Sequence, residues 1–105
     1  MFNIINRRTL LEYMAKYPDA EVALQEWYHE LASADFKNFN ELKKRYGNAS
    51  IVGDNRVVFN IKGNTYRLVV RVLFAYRAIQ LKWFGTHKEY DGIDVQTVVF
   101  KKSKK

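Results

Sequence analysis

The stretch FGTHKEYD, residues 84–91, gathers His87, one of only two histidines in the chain, with Tyr90 and the carboxylates of Glu89 and Asp91. An imidazole ordinarily titrates near neutrality, so His87 suits either half of an acid–base step. Tyr90 brings a hydroxyl that can donate a proton or bond a phosphate, and a ring that can stack on a base. Thr86 and Glu89 stand in the spacing of a capping box, which explains those two without invoking chemistry. His87 has no part in that box and stands open to two readings, a surface residue at a helix start or a proton-transfer group. Asp91 and Asp94 either orient it or continue a polar loop. The other histidine, His29, lies beside Tyr28 within a helical pattern and reads as structural.

Cutting a ribose phosphodiester without a metal poses three tasks. The 2′-hydroxyl must lose its proton, the departing 5′-oxygen must gain one, and the charge that develops on the phosphorane must be held. Arg67, in the run TYRLVVRVLF (65–74), suits the third task, because a guanidinium offers paired donors to phosphate oxygens and a mid-sheet strand holds it still. Arg67, His87 and Tyr90 could together meet these tasks with no cofactor and no metal. Cysteine is absent, which excludes disulfides and thiolate zinc sites.

The net charge of +7 is unevenly placed. Residues 1–55 carry seven Lys/Arg against eight Asp/Glu, whereas residues 56–105 carry eleven against three. Such asymmetry marks a face that meets a polyanion, nucleic acid being the commonest; its bland alternative is a soluble surface. No carboxylate occurs between Arg56 and Lys88. Asn60, Lys62, Asn64, Arg71, Lys82, Lys88, Lys101 and Lys102 are accordingly the expected RNA-binding residues around Arg67.

These residues must be positioned by the elements around them. MFNII suits a brief strand, with Asn3 or Asn6 near the cap of a helix in which Leu10, Leu11, Met14 and Tyr17 recur up to Pro18. Asp19 is the expected N-cap of a second helix, whose Leu24, Trp27, Tyr28 and Leu31 share one face, and the two make an antiparallel hairpin. NFNELKKRYG predicts a short third helix with Asn38 and Glu41 in capping-box spacing and Gly47 as its stop. From residue 56 the period changes to two, predicting a three-stranded meander of RVVFNI, TYRLVVRVLF and AIQLKWF, with Gly63 and Asn64 taking the positive φ of the first turn. In its middle strand Tyr66, Leu68, Val70, Val72 and Phe74 face the helices, leaving Arg67, Val69 and Arg71 on the open face. Trp83 and Trp27 could stack on bases, but the same alternation puts Trp83 in the core with Ile79 and Leu81, as helical spacing does Trp27. Residues 86–91 predict one helical turn, and VQTVVF (95–100) a last edge strand.

At 105 residues the chain is expected to form one domain, 1–105, with KKSKK (101–105) as a mobile basic tail. Its first residues lack the layout of a cleavable signal, and no stretch is long or apolar enough to span a membrane, so a cytoplasmic protein is expected.

In this order, GNTYRLV (63–69) and GTHKEYD (85–91), preceded by two helical segments, resemble the HigB family of bacterial toxins within the RelE superfamily. The resemblance covers essentially the whole chain and implies an α+β, RelE-like fold, an N-terminal helical hairpin packed on a twisted antiparallel sheet. It implies a ribosome-dependent mRNA endonuclease neutralised by a helix-turn-helix antitoxin, HigA, with Arg67, His87 and Tyr90 as the candidate catalytic set. One departure shifts the proton-transfer role toward His87. Many RelE-type toxins place two lysines at alternate positions in the strand before the arginine strand, where this chain has Val58 and Asn60, with Lys62 displaced toward the turn. A non-catalytic RNA- or ribosome-binding module using the same basic sheet is the alternative. A DNA-binding protein is disfavoured, as no helix is basic enough for a major groove.

Overall fold

The computed structural model describes residues 1–95. The expected edge strand over 95–100 and the basic tail with Lys101 and Lys102 lie outside them, Val95 excepted. The order of elements is β1 (Asn3–Ile5), α1 (Arg7–Lys16), a 3-10 turn (Pro18–Ala20), α2 (Glu21–Ser33), α3 (Phe39–Arg45), β2 (Ser50–Val52), β3 (Arg56–Ile61), β4 (Tyr66–Leu73), a 3-10 turn (Phe74–Tyr76), β5 (Ala78–Thr86) and α4 (His87–Tyr90). This is an α+β chain built on a five-stranded sheet of order β1-β5-β4-β3-β2. No helix among the described residues is long and apolar enough to cross a membrane.

The predicted meander is the middle of that sheet, and two strands extend it. β2 adds to β3 antiparallel, and β1 adds to β5 in parallel with Ile4 opposite Ile79, so the sheet is mixed rather than wholly antiparallel. β1 can pair in parallel because the chain between it and β5 contains α1, α2 and α3 and the other three strands, which supply the long crossover such pairing needs.

The core forms where one sheet face meets the helices. Val57, Phe59 and Ile61 of β3, Leu68, Val70 and Val72 of β4, and Ile79, Leu81 and Phe84 of β5 pack with Leu10 and Tyr13 of α1 and Leu24, Trp27 and Leu31 of α2. Period two in the strands and period 3.6 in the helices each bring one apolar face to this layer.

Asn6 is the N-cap of α1, as expected, in a left-handed conformation and without a side-chain bond, whereas α2 starts from Ala20 rather than the expected Asp19. Asp19 sits inside the 3-10 turn, where its carboxylate accepts hydrogen bonds from the Tyr66 hydroxyl at 2.6 Å and the Lys62 ammonium at 3.1 Å. That partnership takes the carboxylate away from the helix end. At α3 the Asn38 side chain accepts from the Glu41 amide at 3.0 Å, the expected cap.

Candidate active site

The β3–β4 turn and the end of β5 build the site. Lys62 and Gly63 take the positive φ values, 56° and 64°. This displaces the expected pair by one residue and frees Asn64 for another task. The Asn64 carbonyl and side-chain oxygens accept from the Arg67 guanidinium at 3.2 and 2.9 Å, and the Tyr66 carbonyl accepts at 3.2 Å. The turn thus aims the arginine while leaving it partly exposed. Asn60 is the cross-strand partner of Arg67 on β3, and Gly85 its partner on β5.

Two residues beyond Gly85, His87 opens α4. Its amide donates to the Thr65 carbonyl at 3.1 Å, so the histidine's backbone is tied to the turn that holds Arg67. Thr86 and Glu89 close a full capping box, Thr86 Oγ1 accepting from the Glu89 amide at 3.0 Å and Glu89 Oε1 from the Thr86 amide at 2.9 Å. The same Oε1 accepts from the Tyr17 hydroxyl at 2.7 Å. Together these bonds hold the Glu89 carboxyl below its usual range, the Tyr17 bond being the largest cause, and burial followed by that bond pushes the Tyr17 phenol up. The capping box therefore reaches past α4 to the end of α1. His87 and Lys88 are exposed and Tyr90 is half-buried.

β5 carries one residue more than β4 across the register step between Val69 and Val70: Val70 pairs with Leu81 and Val69 with Trp83, leaving Lys82 as a bulge. A bulge re-aims the side chains that follow it. Trp83 is thereby moved from the core, where strict alternation puts it, to the face that carries Arg67, and its ring centroid lies 6.3 Å from that of Tyr90. Its indole crosses Gly85, where an added Cβ would come within 2.6 Å of Cη2 and 2.8 Å of Cζ2. Sequence reasoning, which considered base stacking for this residue, placed it in the core because one unpaired position is invisible to a period-two pattern.

Among the described residues, the expected RNA-binding residue Lys88 lies exposed on α4, and the others fall in three places. Asn60 and Asn64 stand beside Arg67. Arg71, four residues along the strand and about 13 Å away at the usual rise, belongs to a second cluster with Arg56 and Lys82 around Asp54. Arg71 and Arg56 approach the Asp54 carboxylate at 3.4 and 3.6 Å, and burial, then the charges of Arg56 and Arg71, push the Lys82 ammonium down. This end of the face is less purely cationic than the linear sequence implies, because the β2–β3 turn brings Asp54 to it. The Arg56 guanidinium also donates to the Val95 carbonyl at 3.1 Å, and Val58 and Val69 beside it are 3% and 0% exposed, so the face is partly covered here. Lys62 is turned toward the helices, paired with Asp19, and stands apart from both groups. Among the described residues no three His, Cys, Asp or Glu side chains gather in a way that could hold a metal ion.

Residues 20–93, which include Arg67, Trp83, His87 and Tyr90, match the model of the HigB toxin family, described as the RelE-like toxic component of a toxin-antitoxin system. The mRNA interferase toxin HigB of Escherichia coli K12 is 30% identical over 91 residues, covering 85% of this chain and 88% of that protein. The mRNA interferases HigB of Escherichia coli O157:H7 and of Shigella flexneri match to the same extent. The turn that aims Arg67 and the capped helix that starts with His87 both fall inside the matched region, and the chain belongs to the HigB family of RelE-like toxins.

Proposed function

We propose that this chain is a ribosome-dependent mRNA endoribonuclease, the toxin of a pair whose antitoxin is a helix-turn-helix protein of the HigA type, acting in the cytoplasm. The observation that carries this reading is the tie between the Arg67 turn and the His87 helix start, made by the 3.1 Å bond from the His87 amide to the Thr65 carbonyl. This supports reading Arg67 as the phosphate-binding cation and His87 as the proton-transfer group of one site, since the turn before Arg67 and the start of α4 meet at one end of the sheet. In the reaction proposed, the 2′-hydroxyl loses its proton, its oxygen attacks the adjacent phosphorus, the bond to the 5′-oxygen breaks, and that oxygen takes up a proton. His87 serves either one of the two proton transfers, Arg67 holds the charge of the phosphorane, and Tyr90 donates a proton or contacts the phosphate. No metal ion is needed for these steps.

The test is cleavage of mRNA on programmed ribosomes by the native chain and by His87→Ala, with the new ends mapped and characterised. The native chain should leave a 2′,3′-cyclic phosphate or 3′-phosphate and a 5′-hydroxyl, in the presence or absence of a chelator. His87→Ala should cleave roughly a hundred to ten thousandfold more slowly with ribosome binding retained. Tyr90→Phe separates hydroxyl from ring: a comparable loss assigns the hydroxyl to the chemistry, and near-native cleavage assigns the ring to stacking. Binding to ribosomes without strand scission by the native chain would replace the endonuclease with an RNA-binding module.

A further inference from the structure

The reaction needs the nucleotides flanking the scissile phosphate held as firmly as the phosphate itself. Arg67, Asn60 and Asn64 can contact phosphate and sugar, but they offer no flat apolar surface to a base. The β5 bulge supplies one. Trp83 stands on the Arg67 face, half-buried and outside the core, whereas Trp27 is 4% exposed and packed edge-on against Phe59 at 5.6 Å. Val69, its cross-strand partner, is fully buried at its side, and Gly85 leaves the space across which the indole lies. Because Gly85 is also the cross-strand partner of Arg67, the indole reaches over the position facing the guanidinium. Tyr90, at 6.3 Å and tilted by 51°, stands beside it as a second aromatic surface.

We propose that Trp83 is a stacking platform for a nucleobase flanking the phosphate held by Arg67, with Tyr90 as its side wall. The proposal rests on the endoribonuclease reading and adds to it the site that takes the base. A base unstacked from its neighbours needs a π surface at its new position, and such stacking tolerates any base identity because every base has a π face. The platform is fixed in height by Val69 and in lateral position by Gly85, so the base it holds sets where along the backbone Arg67 meets phosphate.

Single-turnover cleavage on programmed ribosomes tests this with native chain, Trp83→Phe and Trp83→Leu, each against an ordinary mRNA and against mRNAs with an abasic nucleotide immediately 5′ or 3′ of the cut. Trp83→Leu should raise the half-saturating concentration about tenfold or more on ordinary mRNA, and Trp83→Phe should restore most of it. One of the two abasic mRNAs should cost the native chain a similar factor and abolish the difference between native and Trp83→Leu. The platform is overturned if Trp83→Leu loses the same factor on every mRNA, if it loses nothing, or if neither abasic mRNA affects the native chain. That last arm uses unaltered protein and stands even if the leucine variant fails to fold. A native chain that cleaves while showing no such coupling removes the platform alone; one that cleaves nothing removes the endonuclease reading beneath it.

Discussion

The Tyr17 hydroxyl donates a 2.7 Å hydrogen bond to Glu89, 72 positions further along the chain. It joins the last turn of α1 to the helix that His87 begins, and its ring packs edge-on against Tyr66 and Phe84 at 5.1 and 5.5 Å. Tyr17→Phe keeps those ring contacts and removes only the bond. A partly exposed bond to a charged acceptor contributes about 1 kcal/mol, and urea denaturation should show a loss of that size. Cleavage should fall several-fold more than binding, as α4 loses one of the three hydrogen bonds on the Glu89 side chain and amide. An unchanged cleavage rate in a measurably destabilised Tyr17→Phe chain would show that the capping box alone holds α4.

Arg67 is aimed by Asn64 and by the Tyr66 carbonyl. If it holds charge that develops only in the transition state, Arg67→Ala should slow cleavage by roughly a hundredfold or more while ribosome binding falls much less. Arg67→Lys should recover little, because an ammonium cannot present two fixed donors in one plane. Equal losses in binding and turnover would reduce the arginine to a tether.

Gly85 has no room for a methyl group. An added Cβ would lie 2.6 Å from Glu89 Oε1 as well as from the Trp83 ring. Neither neighbour yields freely, since Oε1 is held by Tyr17 and Thr86 and the indole is rigid. Gly85→Ala should therefore cost about 1–3 kcal/mol as an overpacked position and impair cleavage beyond that, measured by thermal melting and single-turnover kinetics. Native-like cleavage in a stable Gly85→Ala chain would show that Trp83 and Glu89 can both shift without consequence.

Stability should be flat in the middle of the pH range and fall on both sides. The Tyr66 bond, followed by that of Lys62, lowers the Asp19 carboxyl from its ordinary 3.8, and the Tyr17 bond lowers Glu89 from 4.5. Carboxyls with depressed folded values contribute fully above their ordinary values, and the contribution is lost as pH drops through the folded ones. Conversely Tyr66 is pushed up to about 12 from 10.0, first by its bond to Asp19, so its contribution is complete below 10 and disappears as pH rises toward 12. Urea midpoints should be level between about pH 5 and 9. Tyr66→Phe should remove its own share of the alkaline decline, leaving that of the raised Tyr13, Tyr17 and Tyr46 phenols, and weaken the acid one, because its bond to Asp19 acts on both sides.

The helices and the central meander were legible because each buries one face, and burial stamps its period on the residues: Leu24, Trp27 and Leu31 at helical spacing, Tyr66, Leu68, Val70 and Val72 at alternate positions. The capping box at Thr86 and Glu89 was legible for a local reason, since both partners lie within one turn. What escaped notice depends on non-local pairing. Three residues of β1 find β5 in parallel across the whole helical layer, and nothing in their own pattern names that partner. Asp54 reaches Arg71 only through the β2–β3 turn. The Trp83 placement hinges on a single unpaired residue, Lys82, and alternation read straight through it gives the wrong face.

The parallel pairing of β1 with β5 also orders events in time. Asn3, Ile4 and Ile5 leave a ribosome well over seventy residues ahead of their partners, residues 78–80. Until β5 has emerged, β1 has no strand to join and Arg67 has no neighbour at Gly85, and His87 follows later still. Pairings of such long sequence separation close late in folding. A ribosome making this chain therefore carries residues 1–77 before the pairing that fixes β1 and sets Gly85 opposite Arg67 can close.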